Sequence, residues 1–533
     1  MKRFGVMLDM SRNAVMKPDQ VKNFAKIIKA MGYNMLQLYT EDTYEVENEP
    51  YFGYLRGRYS AAELVEIVQY CESIGVEVIP NIQTLAHLNQ IFLWERYQVI
   101  NDTADILLTE NERTYELIEN MFKSLRKCFT SEYVHIGMDE AHMLGLGKYL
   151  AQHGFKNRFE ILSTHLKRVI ELAKKYGFKP IMWSDMFFRL AHGGDYYPEK
   201  PNITDDVIAL TPEDVGLVYW DYYHPDKPTY DKLFAAHKQF KNEIWFAGGA
   251  WSWTGFTPGN ERTINIQVPA MESAREQGIE NIFITMWGDN GGECSYYSLL
   301  PALYTLRRAY DGVTDGAVIK AEFAEITGEN YDEMLALDLP NYVAGNRCSV
   351  GNVSKNMLYN DPFFGMLDSE VKAGAPAEFA AHSATLSGYA KNSKHYGYLF
   401  ESAAALCDLL SVKYDLGVRT RAAYQAGDKA ALRAVMGDYG VAIVKTEAFY
   451  SKFSALWYTE NKPHGFDVQD IRIGGLLQRL RACRERLNAY LGGVLTELPE
   501  LEEKILTWDG GPRTGEGAPH LMEWRKNASV NAI

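Results

Sequence analysis

The apolar run FGVMLDM, residues 4–10, leads into DQVKNFAKIIKAM, residues 19–31, in which apolar side chains recur at helical spacing. The first run is short and almost unbroken in its apolar character, as expected for a strand buried on both faces of a parallel sheet. A strand followed by a helix is the repeating unit of α/β folds. The fold class therefore depends on how often this unit recurs along the chain.

The same unit recurs through the first 310 residues. Seven more strand candidates are each followed by a helical pattern: NMLQLYTE (34–41), VEVIPNIQ (76–83), EYVHIGMDE (132–140), KPIMWSDMF (179–187), VGLVYWDYY (215–223), EIWFAGGAW (243–251) and NIFITMWGD (281–289). Eight β/α units predict an α/β fold of the (β/α)8 TIM barrel type. A doubly wound open sheet is the alternative that this pattern leaves open.

The sequence changes character beyond Thr314. Residues 355–510 carry long helical runs, such as IRIGGLLQRLRACRERLNAYLGGVLTEL at 471–498, and few β-branched stretches. We therefore predict two domains, a barrel over residues 1–314 and an all-helical C-terminal domain over residues 315–533. The Gly-rich tail after Leu506 is predicted to be irregular.

Composition and charge limit the partners of this chain. The 533 residues include 55 Lys and Arg against 69 Asp and Glu, a net charge of -14, which disfavours nucleic acid and anionic membranes as partners. No stretch approaches the length of a membrane span, and Asp9 interrupts the first apolar run too early for a signal peptide. The six cysteines show no spacing typical of zinc or disulfide frameworks. These features predict a cytoplasmic protein.

Acidic and aromatic residues gather at the predicted ends of the strands, where a TIM barrel carries its active site. The fourth strand ends in the adjacent carboxylates Asp139 and Glu140. Five of the ten tryptophans fall at the ends of four consecutive strands: Trp183, Trp220, Trp251, Trp253 and Trp287. Flat rings among carboxylates favour a sugar pocket over ordinary core packing.

The adjacency of Asp139 and Glu140 indicates one particular glycosidase chemistry. Cleavage of a glycosidic bond needs an acid at the leaving oxygen and stabilisation of the cationic centre that develops. Two opposed carboxylates usually come from different strands, so neighbouring residues suit another division of labour. One donates the proton. The other orients the 2-acetamido group of an N-acetylhexosamine, whose carbonyl oxygen then acts as the nucleophile and forms an oxazolinium ion.

These residues resemble glycoside hydrolase family 20, the β-N-acetylhexosaminidases, and most closely its bacterial members with a helical domain after the barrel. Six segments carry the resemblance in order: MLDMSR (7–12), LQLYTEDTYE (36–45), AHLNQ (86–90), HIGMDE (135–140), YWDYY (219–223) and MWGDNGGE (286–293). The resemblance implies an exo-acting, retaining enzyme without metal or cofactor. Its substrates would be glycans with terminal, non-reducing β-linked N-acetylglucosamine or N-acetylgalactosamine, and its assembly a homodimer.

The resemblance also implies roles for individual residues. Asp139 resembles the residue that orients the acetamido group, Glu140 the general acid/base, and Tyr219 the tyrosine that binds the acetamido carbonyl. The other implied residues contact the sugar or support the acid/base: Trp183, Trp287 and Trp251 (or Trp253) around the acetamido pocket, Asp221 and Asp289 at the far hydroxyls, and His87 with Asp42 or Glu41 as the supporting pair.

One position departs from the family pattern. Many members carry a first-strand arginine that binds sugar hydroxyls, whereas this chain has Phe4 there and Arg3 one place away. Arg12, Arg56 and Arg58 are the candidates to replace it.

Two other functions stay open at this point. A metal-dependent barrel hydrolase would use His135, Asp139, Glu140 and His142, and a non-catalytic barrel would bind glycans through the aromatic residues alone. We expect His135 to be a core residue, because it lies in the middle of a predicted strand. We also expect Asp9 and Arg12 to form a structural ion pair at the barrel rim.

Overall fold

Eight parallel strands form a closed barrel in the computed structural model, which describes residues 2–343, 345–347, 352–508 and 523–533. The strands are β1 (Arg3–Asp9), β2 (Met35–Tyr39), β3 (Glu77–Asn81), β4 (Tyr133–His135), β5 (Lys179–Trp183), β6 (Gly216–Trp220), β7 (Ile244–Gly249) and β8 (Asn281–Met286). Pairing of β1 with both β2 and β8 closes the sheet. The predicted TIM barrel is confirmed, and the open doubly wound sheet is excluded.

Helices follow every strand of the barrel. They are α1 (Pro18–Ala30), α2 (Ala61–Ser73), α3 (Glu95–Gln98), α4 (Glu112–Cys128), α5 (Lys148–His153), α6 (Arg158–Lys175), α7 (Asp185–Ala191), α8 (Asp205–Leu210), α9 (Lys227–His237), α10 (Asn260–Glu276) and α11 (Leu300–Tyr310). In α1, the predicted apolar spacing buries Val21, Phe24 and Ile28 on one face. A short antiparallel ribbon, Asn101–Thr103 with Ile106–Leu107, lies between α3 and α4.

The C-terminal region is helical, as predicted. Its helices are α12 (Gly316–Thr327), α13 (Tyr331–Leu335), α14 (Val353–Tyr359), α15 (Ala375–Asn392), α16 (Gly397–Lys413), α17 (Leu416–Gln425), α18 (Lys429–Glu460), α19 (Phe466–Leu491) and α20 (Trp524–Ala528). The described residues after 319 contain no strand. Most of the predicted irregular tail, residues 509–522, lies outside the described residues.

The chain divides into two compact units. One, here called the barrel unit, comprises Met1–Ala250, Thr263–Trp287 and Ala302–Ile319. The other, the helical unit, comprises Trp251–Arg262, Gly288–Pro301 and Lys320–Ile533. The domain boundary predicted between residues 314 and 315 stays a prediction.

Several strands end earlier than the sequence pattern predicts. β4 ends at His135, so Asp139 and Glu140 lie in the loop that follows the strand rather than at its tip. The reason is local backbone conformation, because Gly137 and Met138 both have positive φ angles, 71° and 70°. Left-handed residues cannot continue a strand.

Arg3 and Phe4 lie away from the carboxyl ends of the strands. Arg3 sits at the amino end of β1, where its Nε is 2.7 Å from Oε2 of Glu77 and its guanidinium is 4.4 Å from the ring centre of Tyr133. Phe4 is fully buried, with its ring centre 5.1 Å from that of Tyr33. Neither residue is therefore placed to bind a substrate at the carboxyl end of the barrel.

Hydropathy and cysteine chemistry add two findings. None of the described helices combines the length and the apolar character that crossing a membrane requires. The cysteines at 71, 128, 294, 407 and 483 are buried free thiols, whereas position 348 lies outside the described residues.

Gly5 tests the packing between β1 and β2. A Cβ at this position would lie 2.6 Å from both the carbonyl oxygen and Cε of Met35, its register partner. We expect Gly5→Ala to lower the free energy of unfolding by about 1–3 kcal/mol, because backbone atoms must shift to admit the methyl group. Urea denaturation followed by fluorescence measures this. Gly316→Ala, where no atom lies within 4 Å of the added Cβ, is the control and should show no such loss.

Candidate active site

The loop after β4 has an unusual backbone. Gly137, Met138 and Glu140 all lie in the left-handed region, with φ angles of 71°, 70° and 50°. Each non-glycine residue in this region costs about 1–3 kcal/mol and persists only where surrounding contacts enforce it. The loop that carries the two carboxylates is therefore held in place by other residues.

Two side chains from the flanking strands hold this loop. Gln83, two residues beyond β3, accepts the Met138 N–H through Oε1 at 3.2 Å and donates from Nε2 to Oδ1 of Asp139 at 2.8 Å. Asp185, two residues beyond β5, accepts the Glu140 N–H through Oδ2 at 3.2 Å. Because β3 and β5 are the neighbours of β4 in the barrel, the loop is braced from both sides.

Gly137 is required by this arrangement. A Cβ added there would lie 2.0 Å from Oε1 of Gln83 and 2.9 Å from the carbonyl oxygen of Ile82. Only glycine allows Gln83 to approach the loop closely enough to hold Met138 and Asp139.

His87 supplies a positive charge beside the carboxylate pair. Its Nε2 lies 3.3 Å from Oδ2 of Asp139 and 3.9 Å from Oε2 of Glu140. Burial opposes protonation of the ring, but the charge of Asp139 outweighs it and raises the pKa of His87 to about 10. Burial likewise opposes ionisation of Asp139, yet His87 and the Gln83 amide together lower its pKa. The two residues form an ion pair at neutral pH.

The two adjacent carboxylates occupy different environments. The Asp139 side chain is 12% exposed and held by Gln83 and His87, whereas the Glu140 side chain is 44% exposed. One carboxylate is therefore fixed in a buried setting, while the other reaches solvent from the next position in the chain.

Aromatic rings line the barrel mouth beside the pair. The centres of Trp183 and Trp287 are 6.0 Å apart, and Tyr39 meets Trp287 edge-on at 4.9 Å. The Tyr39 hydroxyl also accepts a hydrogen bond from the Gln83 amide at 3.0 Å, which links these rings to the support of Asp139. Beneath them, His135 packs 4.4 Å from Trp183 and is fully buried, as predicted for a core histidine.

The structure brings together five of the predicted site residues. They lie at the end of β5 and on the loops after β3, β4 and β8, and are connected by the contacts described above: His87, Asp139, Glu140, Trp183 and Trp287.

Tyr219 and Asp221 require a correction. The Tyr219 ring packs 5.3 Å from Phe234 and 4.7 Å from His237, both in α9, and its hydroxyl donates to Oδ2 of Asp221 at 2.7 Å. Both residues are fully buried, and Asp221 also binds Nδ1 of His224 at 2.7 Å. Alternation along β6 turns Tyr219 toward the helices, so neither side chain is placed for the predicted sugar contact.

Tyr222, three residues after Tyr219, lies beside Trp287 at the barrel mouth. Its ring stacks on Trp220 at 5.2 Å, and its hydroxyl contacts Thr285 and the Trp287 indole. It therefore reaches past β7 to β8. The residue lies in the same YWDYY segment as Tyr219, and the sequence signal was missed because Tyr222 follows the end of β6, where strand alternation no longer applies.

Asp42 also requires a correction. Its carboxylate is paired with Arg56, whose Nε lies 3.1 Å from Oδ1 and 3.0 Å from Oδ2, so it is not the partner of His87. The nearest carboxylates of His87 are Asp139, Glu140 and Asp105 instead. Asp42 lies on the loop after β2, and this loop turns toward Arg56. No pattern in the neighbouring sequence predicts the ion pair between the two residues.

The candidate replacements for the first-strand arginine are engaged elsewhere. Arg12 lies 3.2 Å from Oε1 of Glu41 and 3.8 Å from Oδ2 of Asp9, which confirms the predicted structural ion pair. Arg56 holds Asp42, and Arg58 donates to the carbonyls of Pro50 and Phe52. Burial raises the pKa of Glu41 to about 7 despite the nearby Arg12.

Trp251 and Asp289 belong to the helical unit, and their predicted sugar contacts stay predictions. Within that unit, Trp251 stacks on Trp253 at 4.5 Å, and the Arg262 guanidinium lies 4.4 Å from the Trp251 ring centre. Both indoles are buried.

The ligand set of the metal-hydrolase alternative is not assembled. In the part of the chain that the structure describes, no three His, Cys, Asp or Glu side chains are grouped so as to hold a metal ion. Nδ1 of His135 instead accepts the Gly137 N–H at 3.1 Å.

Comparison with known proteins agrees with this geometry. Residues 3–221 match the model of the glycosyl hydrolase family 20 catalytic domain, and residues 331–518 match that of the glycoside hydrolase 20C C-terminal domain. The chain belongs to glycoside hydrolase family 20. Both matched segments are therefore parts of one family architecture, a catalytic barrel followed by a helical region.

Individual relatives are distant. Hexosaminidase D of Bos taurus is 25% identical over 243 residues, which cover 43% of this chain and 63% of that protein. A probable beta-hexosaminidase of Arthroderma benhamiae is 24% identical over 218 residues, 34% of this chain and 35% of that protein. The matches thus span less than two thirds of these relatives' lengths. A solved chitobiase from Flavobacterium johnsoniae shares 16% identity over 86% of this chain and 78% of its own, with a TM-score of 0.47, which supports no statement about function.

The His87 ion pair predicts a distinctive titration. NMR of the imidazole nitrogens should show His87 doubly protonated at pH 7 and titrating near pH 10, whereas His135 and His237, with pKa values lowered by burial to about 3, should be neutral. Because an unfolded histidine titrates near pH 6.5, the pair stabilises the fold fully below that pH, and this contribution is lost as the pH rises toward 10. A neutral His87 ring at pH 7 would contradict this assignment.

Proposed function

We propose that this protein is an exo-acting, retaining β-N-acetylhexosaminidase. It releases terminal, non-reducing β-linked N-acetylglucosamine, with N-acetylgalactosamine as a further substrate, from oligosaccharides or glycoconjugates through an oxazolinium intermediate. The observation that carries the proposal is the division between two adjacent carboxylates, Asp139 buried and held as an anion, Glu140 reaching solvent.

Asp139 is suited to stabilise developing positive charge. Its two oxygens are oriented by Gln83 and His87 before any substrate arrives, so no reorganisation is needed when charge appears. In the proposed step, the carboxylate accepts the acetamido N–H while the acetamido carbonyl oxygen attacks the anomeric carbon. The negative charge of Asp139 then balances the positive charge of the oxazolinium ring.

Glu140 is suited to transfer protons. As the acid, it protonates the glycosidic oxygen while the bond to the anomeric carbon breaks, and the resulting carboxylate then activates the water that opens the oxazolinium ring. Its exposure gives the leaving group and the incoming water access to the same oxygen atoms.

The aromatic residues would hold the sugar. Trp183 and Trp287 offer flat faces to the acetamido group and the ring. The Trp183 indole N–H is buried and has no acceptor among the described residues. Tyr222 takes the role that the sequence suggested for Tyr219, with its hydroxyl bound to the acetamido carbonyl.

Substitution of the two carboxylates tests the proposal. Glu140→Gln should reduce kcat/KM by roughly 10² to 10⁴ for aryl N-acetylglucosaminides with poor leaving groups, and much less for activated ones, because the latter need little protonation. Asp139→Asn should reduce kcat/KM equally for substrates with poor and with activated leaving groups, because the charge that stabilises the oxazolinium is lost in either case. Activity of the wild type should persist with a chelator.

Three results would contradict the proposal. A wild type that binds N-acetylglucosamine without cleaving its aryl glycosides would favour the glycan-binding barrel, and loss of activity with the chelator would favour the metal hydrolase. Formation of an α-glycosyl azide by Asp139→Asn in the presence of azide would identify Asp139 as a covalent nucleophile and exclude substrate assistance.

The two tyrosines of YWDYY provide a matched pair of variants. Tyr222→Phe should lower kcat/KM by up to about 10²-fold, because the hydroxyl that orients the acetamido carbonyl for attack is lost. Tyr219→Phe should lose only its buried hydrogen bond to Asp221, with a stability cost of about 1–3 kcal/mol and a retained rate. Steady-state kinetics and thermal denaturation of both variants measure this. A large loss of kcat/KM in Tyr219→Phe, with a retained rate in Tyr222→Phe, would show that Tyr219 rather than Tyr222 acts on the substrate.

Two further expectations from the sequence are kept as proposals. They are a homodimeric assembly, which the family resemblance implies, and a cytoplasmic location, without nucleic acid or membrane as a partner.

A further inference from the structure

Asp185 is a fully buried carboxylate beside the two predicted catalytic ones. It is the first residue of α7, and its Oδ2 lies 3.2 Å from the backbone N of Glu140 and 3.3 Å from Nε of Arg189. Its Oδ1 is also buried and has no hydrogen-bond partner in the described part of the chain. The residue therefore contacts the backbone of Glu140, not the reacting groups.

A carboxylate at this position is energetically unfavourable. Burial and the neighbouring Asp139 raise the pKa of Asp185 to about 7, and the Arg189 contact offsets only part of this. An uncharged residue would avoid both the desolvation and the repulsion. What the carboxylate provides in return is a strong acceptor for one backbone amide, that of Glu140.

That amide belongs to a strained residue. Glu140 has a φ angle of 50°, and a glutamate at this angle would relax to an ordinary conformation without a contact that opposes the change. Such a relaxation would rotate the Cα–Cβ bond and carry the carboxyl group away from its position beside Asp139. Asp139 would be affected less, because Gln83 and His87 hold its side chain directly.

We propose that Asp185 is a positioning residue for the general acid/base: its hydrogen bond to the Glu140 amide holds the Glu140 carboxyl group where it meets the glycosidic oxygen. This inference rests on the proposed function of Glu140. Proton transfer depends steeply on the position of the acid, and an error of about 1 Å can cost 10²-fold in rate. Loss of Asp185 should therefore weaken proton donation specifically, while oxazolinium stabilisation by Asp139 continues.

Asp102 provides a matched structural control. It is also buried, and it accepts the Gly145 N–H at 3.1 Å and the Tyr149 N–H at 2.8 Å, both in the connection between β4 and α6. Asp185 and Asp102 thus brace backbone of the same connection, but only Asp185 binds Glu140. A merely structural effect should appear in both variants.

The experiment compares two aryl N-acetylglucosaminides, dinitrophenyl with a good leaving group and phenyl with a poor one. Asp185→Ala should lower kcat/KM for the phenyl substrate roughly 10 to 10² times more than for the dinitrophenyl substrate. Asp185→Asn, which keeps an acceptor for the Glu140 N–H, should retain the wild-type ratio between the substrates. Asp102→Ala should lower both by the same factor.

The pattern of losses on the two substrates decides whether Asp185 positions Glu140. Equal losses on both substrates in Asp185→Ala, as in Asp102→Ala, would overturn the positioning role and leave Asp185 as a structural residue. Should Asp185→Ala fail to fold, Asp185→Val refills most of the vacated space without an acceptor, and the same selective loss is expected of it. A wild type inactive on both substrates would instead refute the proposed function, so the two failures are distinguishable.

Discussion

The left-handed backbone of the loop after β4 is the constraint on which the rest of the site depends. Three of the four residues from Gly137 to Glu140 have positive φ angles, and the loop keeps this shape because Gln83 and Asp185 accept its amides from either side. Closure of the barrel places β3 and β5 next to β4, so both braces follow directly from the fold. In an extended strand, two neighbouring side chains would point to opposite faces of the sheet. In this loop, the left-handed backbone instead turns the neighbouring side chains of Asp139 and Glu140 toward different surroundings.

Electrostatics and exposure then distinguish the two carboxylates. His87 and Gln83 stabilise the charge of Asp139 despite its burial, whereas the Glu140 side chain is 44% exposed. One chain segment thus presents a fixed anion and a solvent-accessible carboxyl group side by side. The proposed substrate-assisted mechanism uses this asymmetry, which differs from the opposed pair of ordinary retaining enzymes.

The accuracy of sequence reasoning varied with how local each feature is. The eight strand-helix units, the carboxylate pair and the tryptophans at the ends of β5 and β8 were all recognisable, because apolar periodicity and residue type are local properties. The contact predicted for Tyr219 was wrong, since its position in β6 turns the side chain toward α9 rather than toward the barrel mouth. Of the two carboxylates offered as partners of His87, Asp42 is wrong, because a turn that the intervening residues do not reveal brings Arg56 to it, whereas Glu41 does interact electrostatically with His87.

The sequence by itself determined the class of the fold and the chemistry on offer: a β/α repeat, a helical C-terminal region, and an Asp-Glu pair among indoles. Only the tertiary structure decided how those groups are used. Gln83 and His87 follow β3, whereas Asp185 follows β5, and their effect on Asp139 and Glu140 arises from distances of 2.8 to 3.3 Å that exist only once the barrel has closed. Charge and hydrogen bonding act through space, so the protonation and orientation of the pair are properties of the folded barrel rather than of the segment that carries it.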